Sequence, residues 1–174
     1  MATAVLPHIS LEQYLTTAYQ PDVDYVDGTI EERNTGEIDH SDLQSELISL
    51  LRMNSAKWGV RAFAEARVQV RPGNFRVPDV CVMPFAWKRT QTVTTAPLLC
   101  IEVLSPEDRM TCVLERCREF LAMGVPEIWI VDPAARMVQI VTQHGTTTQT
   151  SGTLTLAKSL IEIDLPRIFS VLDL

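Results

Sequence analysis

Two acids stand where apolar residues are expected. Asp79 interrupts the run RVPDVCVMP and Glu102 interrupts LLCIEVLSP. Runs this rich in Val, Ile, Leu and Cys suit strands covered on both faces, and burying a carboxylate in such a strand is costly unless it is paired. The simplest antiparallel hairpin, with Met83 opposite Leu98, sets Asp79 opposite Glu102. Like charges side by side on a sheet repel, so a cation or a shared proton must resolve the conflict. A hard divalent ion, taking an oxygen from each acid and waters for the rest of its shell, is the simplest resolution, and magnesium fits, with manganese as the alternative. Each acid taken alone also reads as a strand-end residue reaching solvent or an arginine. Pro78, with no N–H, suits a strand start or an edge just before Asp79.

The rest of the chain supplies a sheet and its helices. Ser10-Leu11-Glu12-Gln13 is a capping box that predicts a short helix to about Tyr19, stopped by Pro21. Asp27-Gly28 predicts a hairpin turn within Val23 to Arg33. His40, Leu43, Leu47, Leu50 and Leu51 recur at helical spacing between Asp39 and Trp58, with Gly59 at the end. Strands are expected over Arg61 to Val70, Phe75 to Met83 and Pro97 to Leu104. Ser105-Pro106-Glu107-Asp108 predicts a capped helix start, followed by an apolar stripe of Met110, Val113, Leu114, Cys117 and Leu121 and a stop at Gly124. PEIWIV, from Pro126 to Val131, reads as a buried strand with Met137 to Thr142 as its antiparallel neighbour. Thr146 to Thr155 reads as an exposed loop or edge hairpin, Leu160 to Ile163 as one more strand, and Pro166 to Leu172 as a short helix. The order predicts a single α/β or α+β domain over residues 1–174, with a central mixed sheet flanked by helices.

Charge is uneven along the chain. Residues 1–51 hold one basic and ten acidic side chains, residues 52–89 eight and two, and residues 90–174 six and ten, for a total of −7. That total argues against coating nucleic acid through bulk charge, while the basic middle block leaves room for local phosphate binding. Trp87 beside Lys88 and Arg89 reads as a plain loop or as a platform for a base. Cys81, Cys100, Cys112 and Cys117 form no CxxC pair and read as buried thiols in a reducing compartment. No apolar run approaches the length of a membrane span, and the start MATAVLPHIS lacks the features of a signal peptide, so a cytoplasmic protein with no membrane partner is expected.

The strings VDYVDGTIEER, RVPDV, CIEVLSPEDR and ERCREFLAMGVPEIWIVDP, with His40 opening a helix between the first two, occur in an order and spacing that resembles the Uma-type endonuclease family of the PD-(D/E)XK superfamily. The resemblance spans roughly Asp22 to Val141. It implies a restriction-endonuclease-like fold, with Pro78-Asp79 as the PD motif and Glu102 as the acid of (D/E)XK. Asp79 and Glu102 would then bind magnesium, and metal-activated water would hydrolyse a DNA phosphodiester, with no organic cofactor. The triplet here reads Glu102-Val103-Leu104, without the lysine. The family's basic residue corresponds to Arg116 on the following helix, four positions before Phe120. An arginine cannot act as a proton acceptor at neutral pH, although its fork can hold a phosphate or developing negative charge.

Asp24 and His40 match further positions of the family. Asp24 reads as an added ligand, a residue holding a neighbour, or a plain surface acid. His40 reads as a phosphate or water contact, or as a structural histidine on an apolar helix face. Arg116 also reads as a solvated residue paired with Glu119. A nuclease fold that no longer cuts and serves as a nucleic-acid or protein-binding module stays open beside the enzyme. So does a domain that forms a homodimer through exposed edge strands.

Overall fold

The computed structural model describes residues 8–33 and 37–173; residues 1–7, on which much of the reading of the N-terminal start rests, lie outside them. Helix α1 (Leu11–Thr16) opens with the expected capping box: Gln13 N donates to Ser10 Oγ at 3.2 Å and Ser10 N to Gln13 Oε1 at 3.0 Å. Strands β1 (Asp24–Val26) and β2 (Thr29–Glu31) form the expected hairpin. Its turn places Asp27 and Gly28 at φ of 48° and 83°, the left-handed pair that an Asp-Gly turn supplies. Helix α2 (Ile38–Met53) buries His40, Leu43, Leu47, Leu50 and Leu51, and the short α3 (Ser55–Trp58) follows it and stops at Gly59.

Two expected strands are each broken in two. Arg61 to Val70 divides into β3 (Val60–Ala64) and β4 (Val68–Arg71), and Phe75 to Met83 divides into β5 (Asn74–Arg76) and β6 (Val80–Pro84). The break in the first falls at Glu65, whose φ is 49°. The halves belong to different sheets: β4 and β5 join the hairpin in the order β2-β1-β5-β4, whereas β3 and β6 enter the central sheet. Val77 to Asp79 is therefore the crossing point between two sheets.

The central sheet runs β10-β9-β8-β7-β6-β3, built from β7 (Leu99–Val103), β8 (Ile128–Asp132), β9 (Met137–Thr142) and the edge strand β10 (Gly145–Gln149). β7 and β8 are parallel and the other neighbours antiparallel, which is the mixed sheet the sequence predicts. Helix α4 (Met110–Met123) links the parallel pair and ends at Gly124. Its start is not the expected one. Ser105 to Asp108 forms a turn instead, with Asp108 N donating to Ser105 O at 3.0 Å and Ser105 N to Asp108 Oδ2 at 2.8 Å, so the Asp side chain spends itself locally and the helix begins at Met110. The Thr-rich segment yields β10 and β11 (Thr153–Thr155), the latter paired with β12 (Glu162–Asp164) ahead of α5 (Leu165–Phe169).

One sheet face packs Val80, Leu99, Ile101 and Trp129 against Leu43, Leu47 and Leu51 of α2 and Ile168 and Phe169 of α5. The other packs Cys81, Cys100, Ile128 and Ile130 against Val113, Cys117 and Phe120 of α4. Cys112 is exposed, contrary to the expectation that all four thiols are buried, because its position on α4 turns away from this layer. No described helix is long and apolar enough to cross a membrane.

Candidate active site

The β6–β7 ladder pairs Val80 with Ile101, Cys81 with Cys100 and Val82 with Leu99, the register that sets Asp79 across from Glu102. Asp79 lies one residue before β6. Its Oδ2 accepts a hydrogen bond of 2.7 Å from the backbone N–H of Val103, so it closes the ladder through its side chain. Period two then puts both acids on the face shared with Cys81 and Cys100, toward α4. Both are buried, at 2% and 1% exposure.

Four residues from three segments converge on this pair. Arg116, on α4, donates from Nη2 to Glu102 Oε2 at 3.1 Å, so it points at the carboxylates and is not paired with Glu119. His40, in the first turn of α2, puts Nε2 3.3 Å from Asp79 Oδ2, and Gln44, one helical turn on, donates to the Asp79 carbonyl at 3.0 Å. Arg33, two residues past β2, donates from Nη2 to Asp79 Oδ1, and the same nitrogen lies 4.0 Å from Glu102 Oε2. Asp79, Glu102, Arg33, His40 and Arg116 line one cavity of about 290 Å³ together with Arg109 and others, while Gln44 lies behind it.

Asp24 does not line that cavity, and it is not a surface acid. It is 1% exposed, and both its oxygens are engaged: Oδ1 accepts from Val77 N at 2.8 Å and Oδ2 from Arg76 Nη1 at 3.0 Å. Arg76, itself buried, also binds Glu31 and Glu119. The Asp24–Arg76 pair thus ties the hairpin and α4 to the segment leading into Pro78-Asp79.

The acids differ in their readiness to ionise. Burial pushes the Asp79 carboxyl up, but Arg33, the His40 hydrogen bond and charge, and the Val103 N–H together hold it below the usual range. Glu102 is pushed up to about 7, first by burial; Arg116 and Arg33 pull it down, while Asp79 adds to the rise. Burial lowers His40, yet its bond to Asp79 and that charge raise it overall. The cavity therefore holds one firmly ionised acid beside one that titrates near neutrality.

Whether a divalent ion fits is decided by the donors. Among the described residues no group of three or more His, Cys, Asp or Glu side chains is arranged to hold a metal. Two carboxylates are arranged so that a single nitrogen of Arg33 reaches both, and Glu102 Oε1 is buried with no hydrogen-bond partner among the described residues. An ion that takes one or two carboxylates and completes its shell with water and phosphate oxygens, as magnesium does, suits this donor set.

Arg33 closes the string VDYVDGTIEER, yet nothing in that string singles it out as a site residue. The available signal is its isolation, since it is the lone basic residue among the first 51. In the basic middle block Arg67 is bound to Asp22, Arg71 to Asp27 and Arg76 to Asp24 and Glu31, so the acidic first segment takes up three of its eight cations, while Lys57, Lys88 and Arg89 are exposed. Trp87 is half-buried and packs edge-on against Phe63, with ring centroids 5.8 Å apart, which makes it an anchor for its loop.

The model of the Uma2 family, described as "Putative restriction endonuclease", matches residues 11–172. A crystal structure described as "a putative nuclease belonging to DUF820", from Anabaena variabilis, superposes with a TM-score of 0.81 at 23% identity, covering 94% of this chain and 99% of that one. A cryo-EM structure of a DrdV–DNA complex aligns at a TM-score of 0.38 and 16% identity over 73% of this chain and 10% of the other, too remote to carry weight. Among curated proteins none matches. The fold is the restriction-endonuclease-like one that the motifs imply.

Proposed function

The chain belongs to the Uma2 family, and on that premise we propose that it is a magnesium-dependent endonuclease that hydrolyses DNA phosphodiester bonds, with manganese as a substitute ion. The observation that carries this reading is the facing of Asp79 and Glu102 across neighbouring strands into one cavity, with Arg116 bound to Glu102. Asp79 and Glu102 would hold the ion, which when bound supplies a Lewis acid for the phosphate and an activated water.

The chain's own groups do the positioning. The Val103 N–H, His40 and Gln44 fix Asp79 from three sides. Arg116 orients Glu102 and, with Arg109 on the cavity wall, offers guanidinium forks that match a phosphate in shape and charge. Arg116 stays protonated, so it stabilises negative charge on the phosphate and does not move a proton.

A second reading has its own observation: the lysine is absent and both acids already have arginine partners, as a binding module without turnover would tolerate. Supercoiled plasmid incubated with Mn²⁺ or Mg²⁺ separates the two. The enzyme reading expects nicked and linear products that disappear with chelator and in Asp79→Ala. Oligonucleotide binding with no cleavage under any of these conditions favours the module.

A further inference from the structure

We propose that Arg33 is a built-in counter-cation that occupies the place between Asp79 and Glu102 and must withdraw before a divalent ion can bind there, so that the protein sets its own metal affinity by competition. This rests on the reading of the two acids as the metal site.

One guanidinium nitrogen of Arg33 spans the pair, hydrogen-bonded to Asp79 Oδ1 and 4.0 Å from Glu102 Oε2. The other cations each serve one acid: His40 contacts Asp79, and Arg116 contacts Glu102. Arg33 is therefore the shared charge, in the bridging position a divalent ion would take. Two buried acids this close need a bridging charge to persist, because an uncompensated buried carboxylate is strongly destabilising. A divalent ion meets the same need with twice the charge, and it repels a guanidinium left at the same spot.

The local structure allows the exchange. Arg33 belongs to no strand or helix, so its withdrawal breaks no ladder. Its side chain is 12% exposed at the wall of the cavity, which Glu32 and Glu107 also line. Asp79 keeps the Val103 N–H and His40, and Glu102 keeps Arg116, so the carboxylates stay oriented when Arg33 leaves.

The test is Mn²⁺ binding by titration calorimetry, without nucleic acid, on wild type, Arg33→Met and Glu102→Ala. Arg33→Met is expected to bind Mn²⁺ at least tenfold more tightly than wild type. Without metal its melting temperature should be lower, and Mn²⁺ should raise it by more than it raises that of wild type. Wild type binding with Arg33→Met equal or weaker overturns the role of Arg33 and leaves the metal site standing. Absence of binding in both proteins overturns the metal site along with it. Should Arg33→Met not fold, the wild type gives the answer through arginine modification by phenylglyoxal, mapped by mass spectrometry. Mn²⁺ is expected to accelerate modification at Arg33 several-fold, and an unchanged or slower rate overturns the proposal.

Discussion

Arg76 does its work out of sight of the cavity. Its guanidinium, 2% exposed, gathers Asp24, Glu31 and Glu119 from three separate elements and so fixes where β2 and α4 stand relative to the strand that delivers Asp79. Removing one side of a buried pair leaves the other uncompensated. Arg76→Met is expected to lower stability by about 3–5 kcal/mol in urea unfolding, through the stranded Asp24. Asp79 and Glu102 were legible in the sequence because an acid inside an apolar strand is conspicuous and antiparallel register is simple counting. Arg33 and Arg76 were not, although they end VDYVDGTIEER and open RVPDV, since their partners lie more than forty residues away and a local string carries no sign of them.

At the scale of elements, α4 matters for where it aims Arg116. Val113, Cys117 and Phe120 seat the helix on the sheet, and Gly124 ends it at φ 106°, a conformation that costs an L-residue about 1–2 kcal/mol. A Cβ there would meet only the Ala96 Cβ at an ordinary 3.6 Å, so the cost is conformational. Gly124→Ala should therefore lose about 1–2 kcal/mol in chemical unfolding, with Mn²⁺-dependent cleavage retained at temperatures where the variant stays folded. Periodicity located α2, α4 and the Gly124 stop well, but the single helix expected to run to Gly59 breaks at Asn54 into α2 and α3. It joined β3 to β4 and β5 to β6, because alternation along a chain carries no mark of which sheet each half will enter. The start of α4 was misplaced for a local reason: Ser105 and Asp108 satisfy each other in a turn before the helix can use them.

For the whole molecule, the uneven charge of the sequence is in part a fastening: the acidic first segment binds Arg67, Arg71 and Arg76 of the middle block. The buried site also sets how stability follows pH in the absence of metal. Glu102, raised to about 7 from its ordinary 4.5, binds more protons in the folded state across that interval, so stability falls as pH rises through it. His40 is raised as well, and its contribution is present below 6.5 and lost as pH climbs past its folded value. Asp79 is lowered, so its contribution is lost only as pH falls into the acid range. Melting temperature in chelator should therefore peak in mildly acidic buffer. Glu102→Gln should flatten the decline above neutrality and gain roughly 1–2 kcal/mol at pH 8, while changing little at pH 5.

Anomalous diffraction from a Mn²⁺-soaked crystal shows whether Asp79 and Glu102 together hold a divalent ion at the crossing of the two sheets. An anomalous peak is expected at coordinating distance from both carboxylates, with Arg33 withdrawn from between them. A map with no peak there, or with the ion bound elsewhere while Arg33 still bridges the two acids, would contradict that expectation.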